Sequence, residues 1–191
     1  MTTVYYSPHM TSLDNELGRA SGHADVPLSE RGLLEAGELA RHYAHCAIDA
    51  VFCSDLQRAS RTAELAFSSR DVPIIRDARL RECDYGILAQ YPSAEVHARL
   101  LGHLAEPFPG GESLTAAVER VGDVLRDALR SWGGKTLVII GHRATRYGLE
   151  YWCSGTSLER IVGSPWERRE IPIWRYEAAA SLLDYHMRGA P

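Results

Sequence analysis

Short apolar runs alternate with amphipathic stretches along this chain, and that alternation restricts it to a sheet flanked by helices. Val4 to Ser7 reads as a strand, Glu30 to Ala44 as a helix and Ala50 to Cys53 as a second strand, which makes a β-α-β unit. Ser29 is a good N-cap, and Leu33, Leu34, Gly37, Leu39, Ala40 and Tyr43 follow a mostly helical spacing. The pattern continues with a helix from Leu56 to Phe67, a short strand over Pro73 to Ile75 and a long helix from a cap at Ser113 to Trp132. Lys135 to Gly141 is then a buried central strand. The expected class is α/β with a mostly parallel sheet.

Residues 86–112, rich in Pro, Gly and His with a short helix near Glu95 to Leu104, break the alternation and read as an inserted flap that shapes access to a site. Ile171 to Tyr176 reads as a late strand, which Pro172 confines to an edge or a strand start. With 191 residues, 45% of them apolar, one domain is expected over residues 1–177, followed by a C-terminal tail over 178–191. A formal net charge of −4 argues against general nucleic-acid binding, which calls for a basic stripe. The start has no basic region ahead of a long apolar one, and no stretch approaches a membrane span, so the expectation is a cytoplasmic protein with no membrane partner. Cys46, Cys53, Cys83 and Cys153 are scattered and read as reduced thiols rather than a zinc or disulfide framework.

In a mostly parallel sheet, ligands sit beyond the carboxyl ends of the strands. His9 follows the first strand, Ser54 and Arg58 the second, Glu82 and Asp84 the third, and His142 with Arg143 the fourth. Two histidines, an arginine and a carboxylic acid suit phosphoryl transfer: an imidazole nucleophile, cations for the equatorial oxygens and a proton donor for the leaving oxygen. A metal site fits less well, because no close cluster of ligands is visible.

The chain resembles the histidine phosphatase superfamily, the group related to cofactor-dependent phosphoglycerate mutase, over roughly residues 3 to 150. The resemblance rests on His9 with Asn15 six residues on, Gly18-Arg19, Asp25-Val-Pro-Leu-Ser-Glu-Arg-Gly, Ser54-Asp-Leu-Gln-Arg-Ala-Ser-Arg-Thr-Ala-Glu, Leu80-Arg-Glu-Cys-Asp-Tyr-Gly, Pro109-Gly-Gly-Glu-Ser and Ile140-Gly-His. It implies a three-layer α/β/α sandwich, no metal or other cofactor, and His9 as the phosphate-accepting nucleophile. It further implies Arg58 and His142 as phosphate clamps, Asn15 as a neighbouring polar contact and Glu82 as general acid. The leading function is then a metal-independent phosphomonoesterase acting on a small phosphorylated metabolite through a phosphohistidine. The family's Arg-His-Gly is here Pro8-His9-Met10, so one guanidinium is missing from its usual place. Loss of one such donor typically costs about 3 to 4 kcal/mol in the transition state. Met10 in place of glycine is expected to crowd the loop, and Arg143 is the residue expected to replace the missing clamp. Arg146 is a weaker candidate for contacting the rest of the substrate.

Other readings stand beside these. Glu82 could pair with Arg79 or Arg81, leaving Asp84 as the proton donor, and Asn15 could serve only the loop. His23, His97 and His103 could reach substrate from the loops but read first as solvent-facing, and Tyr85, Tyr91, His97, Arg99 and Phe108 give the flap a mixed aromatic and cationic character that would suit a sugar phosphate or nucleotide. Glu112 reads as a structural anchor, and Trp166 to Tyr176 as edge packing or a homodimer contact. A phosphate-ligand binder weakened by Pro8 is the second function. A mutase or phosphotransferase ranks lower, since the flap has no Arg-Arg pair and Arg168-Arg169 lies far along the chain.

Overall fold

Alternation of side chains along one strand divides the core into two layers. In β4 (Thr136–Gly141), Leu137 and Ile139 face one side of the sheet and Val138 and Ile140 the other, all of them buried. A computed structural model describes residues 1–166 and 172–187. Its sheet has the order β3-β2-β4-β1-β5, where β1 is Thr2–Pro8, β2 Ala50–Cys53, β3 Ile74–Arg76 and β5 Trp174–Ala178. The first four are parallel, and β5 joins antiparallel at the edge beside β1.

Helices cover both faces, giving the expected three layers. The short α1 (Leu13–Glu16) precedes α2 (Glu30–Tyr43), which is capped by Ser29 through the Gly32 N–H. With α3 (Gln57–Phe67), α2 seals the face that carries Val51, Cys53, Val138 and Ile140. The opposite face, with Val4, Tyr6, Leu137 and Ile139, packs on Val124, Leu125 and Leu129 of α5 (Leu114–Trp132) and on Leu149 of α6 (Arg143–Ser154). Between α3 and α5 the flap holds the small α4 (Ser93–Arg99) and two 3₁₀ turns. It has a core of its own, in which Leu88, Val96, Leu100 and Phe108 pack with Val118, Tyr147 and residues of α7 (Leu158–Gly163).

The late strand occupies an edge and begins at Trp174, so Pro172 precedes it and takes no place in its ladder; Ile171 lies outside the described residues. A 3₁₀ segment, Ala180–Met187, follows it, and Leu182 and Leu183 pack against the core. Among the described residues, no helix is long and apolar enough to cross a membrane.

Contact between α5 and α6 depends on missing side chains. A Cβ at Gly148 would come within 2.6 Å of Val121 Cβ, whereas one at Gly37 on α2 would meet nothing within 4 Å. Gly148→Ala should therefore lower the unfolding free energy by about 1–3 kcal/mol through overpacking. Gly37→Ala should raise it by about 0.5–1 kcal/mol by removing backbone entropy from the unfolded chain. Urea denaturation of the two variants beside the parent chain checks both signs.

Candidate active site

β1 and β4 end together, and that register brings two imidazoles side by side. Pro8 pairs with Gly141, the His9 N–H donates to the Gly141 carbonyl at 2.9 Å, and the ring centroids of His9 and His142 are 5.0 Å apart. His9 Nδ1 lies 2.7 Å from the Met10 carbonyl oxygen. A carbonyl can only accept, so Nδ1 carries the hydrogen and Nε2 keeps a free lone pair. Burial, assisted by the Arg58 guanidinium and opposed by the Met10 bond, pushes the His9 pKa down to about 3. His142 is 1% exposed, and burial followed by Arg58 and His9 holds its pKa well below the ordinary value. Neither of its ring nitrogens has a hydrogen-bond partner among the described residues. Both rings are therefore neutral near pH 7.

Arg58 enters from the first turn of α3 and is itself 1% exposed. Its two terminal nitrogens donate to the carbonyls of Ala24 and Gly22, each at 2.8 Å. Gly22 has a φ of +54°, a conformation that glycine adopts without penalty, and this turns its carbonyl toward the guanidinium. Thr62 ties the two segments together, since its hydroxyl donates to the Arg58 carbonyl at 2.7 Å and accepts from the Met10 N–H at 3.1 Å.

Glu82 approaches the amino terminus of α6. One carboxylate oxygen accepts from the N–H groups of Cys83 (2.9 Å) and Ala144 (3.0 Å), and the other from Arg143 N–H (3.2 Å). The helix end, whose first N–H groups have no intrahelical partner, holds the carboxylate beside His142. Glu82 pairs with neither adjacent arginine: Arg79 is engaged by Asp77 and Asp127, and Arg81 by Asp55. Asp84 lies off the cavity wall and accepts from the Gly86 N–H at 2.9 Å.

A cavity of about 250 Å³ joins these groups; its wall includes His9, Asn15, Arg58, Glu82, His142 and Arg143. These six candidates thus share one cavity, whereas Ser54, also expected at a strand end, does not line it. Asn15 also caps α1, with its carbonyl oxygen accepting from Ser12 N–H at 3.0 Å. Arg143 lies over the ring of Trp166, its guanidinium carbon 4.4 Å from the centroid, and donates to the Tyr147 hydroxyl at 3.3 Å. Arg146 does not line the cavity; it stacks between Trp166 and Trp174 at 4.7 and 4.3 Å.

Several expectations need correction. His97 is not solvent-facing: it lines the cavity with Ser93, one turn earlier on α4. Burial and then Arg143, against the pull of Glu82, push its pKa down to about 4. His23 bonds to the Glu82 carbonyl at 2.9 Å, and His103 stacks on Phe108 at 3.9 Å. Trp166 belongs to the cavity wall, whereas Trp174 and Tyr176 pack in the core. Met10 does not crowd this cavity, because its side chain turns into the core with Leu28, Ala36 and Leu39. Arg168-Arg169 lies outside the described residues. Arg19, of the matched Gly18-Arg19, and Tyr85, of the flap's aromatic set, also reach the wall. Burial pushes the Cys83 thiol up, which leaves it a packing group rather than a nucleophile. Among the described residues, no three His, Cys, Asp or Glu side chains are grouped as around a metal ion.

A family model described as histidine phosphatase superfamily (branch 1) matches residues 9–180. The chain is similar to Phosphoserine phosphatase 1 of Hydrogenobacter thermophilus, with 29% identity over 143 residues covering 70% of this chain and 67% of that protein. It is also 28% identical over 194 residues to "Probable phosphoglycerate mutase GpmB" of Salmonella choleraesuis, covering 97% of this chain and 86% of that one. Among solved structures, Bacillus stearothermophilus YhfR matches with a TM-score of 0.75 and 25% identity over 87% of this chain and 86% of its own.

The two neutral imidazoles, His142 buried and His9 partly so, make stability depend on pH. An unfolded histidine titrates near pH 6.5, whereas folded His9 does so at about 3. Between those values the unfolded chain binds more protons, so stability falls as pH falls. From pH 7 to pH 5 His9 alone should account for about 2 kcal/mol of lost stability. Urea denaturation at the two pH values should show that loss shrinking by about this amount in His9→Asn.

Proposed function

The chain belongs to branch 1 of the histidine phosphatase superfamily, and from that premise we propose that it is a metal-independent phosphomonoesterase. It hydrolyses a small phosphorylated metabolite through a phosphohistidine at His9. The observation that carries this reading is the state of His9: a neutral ring whose Nδ1–H is bound to the Met10 carbonyl, with Nε2 left as nucleophile in a cavity it shares with Arg58 and His142. Nε2 attacks phosphorus in line, and the P–O bond to the alcohol breaks. Glu82 gives the departing oxygen its proton, then takes one from the water that cleaves the phosphohistidine. Arg58 and the neutral His142 hold the equatorial oxygens during both steps.

Pro8 stands where the family pattern has arginine, and its ring offers neither a guanidinium nor an N–H. Arg143 supplies the replacement. Its stacking on Trp166 and its bond to Tyr147 restrict the guanidinium to one wall of the cavity, which reduces the rotamer entropy lost when it binds oxygen. The relatives named for phosphoserine and phosphoglycerate agree with a small phosphorylated acid as substrate. A second reading, a phosphate-ligand binder with little catalysis, is favoured by Pro8 alone.

A panel of phosphomonoesters assayed with EDTA present tests the proposal. The parent chain should form a base-stable phosphohistidine, and His9→Ala should form none. Arg143→Ala should lower kcat/KM by about a hundred- to thousandfold, and Pro8→Arg should partly restore it in that background. A parent chain that binds phosphate without ever becoming labelled would establish the binder instead.

A further inference from the structure

We infer that Arg120, gripped by Glu112, is the positioning residue for Glu82: it fixes the backbone from which the carboxyl group reaches the cavity and touches no part of the substrate. The inference rests on the reading of Glu82 as the proton donor. Residues 81–85 form neither helix nor strand, so their backbone groups must find partners elsewhere. Arg120 on α5 collects them. One terminal nitrogen donates to the carbonyls of Arg79 and Arg81, each at 2.7 Å, and the other donates to the Glu82 carbonyl at 2.8 Å. Glu112 fixes the guanidinium in a two-point pairing, with Nε to Oε2 at 3.1 Å and Nη2 to Oε1 at 2.5 Å. That same Oε1 accepts the Asp84 N–H at 3.0 Å, so one ion pair holds the chain on both sides of Glu82.

Burial distinguishes this pair from the surface bridges. The side chains of Arg120 and Glu112 are 18% and 21% exposed, against 52% for both partners of Arg130 and Asp127. Neither Arg120 nor Glu112 lines the 250 Å³ cavity. The geometry also explains why the backbone grip matters to catalysis. In turnover the carboxyl group must exchange one of the N–H groups it accepts, from Cys83, Arg143 or Ala144, for the leaving oxygen. Its side-chain anchors then loosen, and the Glu82 carbonyl held by Arg120 and His23 is the reference that stays put. Only a planar guanidinium can serve three carbonyls and a carboxylate together; an ammonium group has three donors and no fixed fork.

The test compares two leaving groups in single-turnover measurements of P–O cleavage. p-Nitrophenolate departs without a proton, whereas the alkoxide of glycerol 2-phosphate needs one. Arg120→Lys and Glu112→Gln should slow cleavage of glycerol 2-phosphate by about 30- to 100-fold and that of p-nitrophenyl phosphate by less than about threefold, as expected for a displaced general acid. Arg120→Met should show the same split, larger than in Arg120→Lys. Both rates come from one preparation, so a reduced folded fraction cancels in their ratio. Glu82→Gln serves as reference and should show the largest split. If Glu82→Gln discriminates between the esters while the Arg120 and Glu112 variants slow both equally or neither, the positioning role is overturned and the acid stands. If Glu82→Gln shows no split, the acid assignment fails and the inference falls with it.

Discussion

Parallel pairing of β1 with β4 in a single register is the constraint on which the cavity depends. Pro8 opposite Gly141 leaves His9 and His142 as the next residues of adjacent strands. A slip of one residue would turn every side chain of a strand to the opposite face. The unequal faces of β1 oppose it, since Val4 and Tyr6 are fully buried in one core layer while Thr3 beside them and Tyr5 between them are only partly buried. Smaller bonds then lock the ends. Tyr6 donates its hydroxyl to the His142 carbonyl at 2.7 Å, and Thr145 joins His142 N–H to the Leu80 carbonyl through bonds of 3.0 Å each. The second of these links α6 to the turn that leads to Glu82.

Charge is distributed so that the cavity stays cationic in a chain of net charge −4. Arg79, Arg81, Arg120 and Arg126 are each satisfied by a carboxylate away from the cavity. Arg58 and Arg143 are held differently, by carbonyl oxygens in one case and by an aromatic face and a hydroxyl in the other. Neutral partners fix a guanidinium without cancelling its charge, which leaves its attraction for an oxyanion intact in a poorly solvated space. Desolvation is the cost, and it lowers the Arg58 pKa from its ordinary value.

Much of this arrangement was legible in the sequence because it is local. Ser29 and Ser113 announce their helices, the run through Ile140 announces its strand, and each candidate residue follows a strand end by a short interval. What escaped depends on contacts between distant segments. Arg143–Ser154 was not read as a helix: Arg143 and Arg146 occupy its first turn, and Gly148 weakens the apolar pattern on the side that packs against Val121. Trp166 read as edge packing or a dimer contact, and His97 first as solvent-facing, because Arg143, which interacts with both, is remote from them along the chain. Met10 looked like an obstruction because the sequence does not show that the core takes up its side chain. Glu112 was legible as an anchor, but its arginine partner was not, since nothing in the spacing connects Arg120 to the carbonyls it serves.

The two borders of the sheet differ from its centre in a way that bears on colloidal behaviour. β3 offers only three residues, and β5 carries the exposed Arg175 with Glu177 on alternate positions from Trp174 and Tyr176. A short border on one side and a charged one on the other give an incoming foreign strand little template for amyloid-like extension. Concentrated solutions of the folded chain are thereby protected at the rims of the same sheet whose interior is almost entirely apolar.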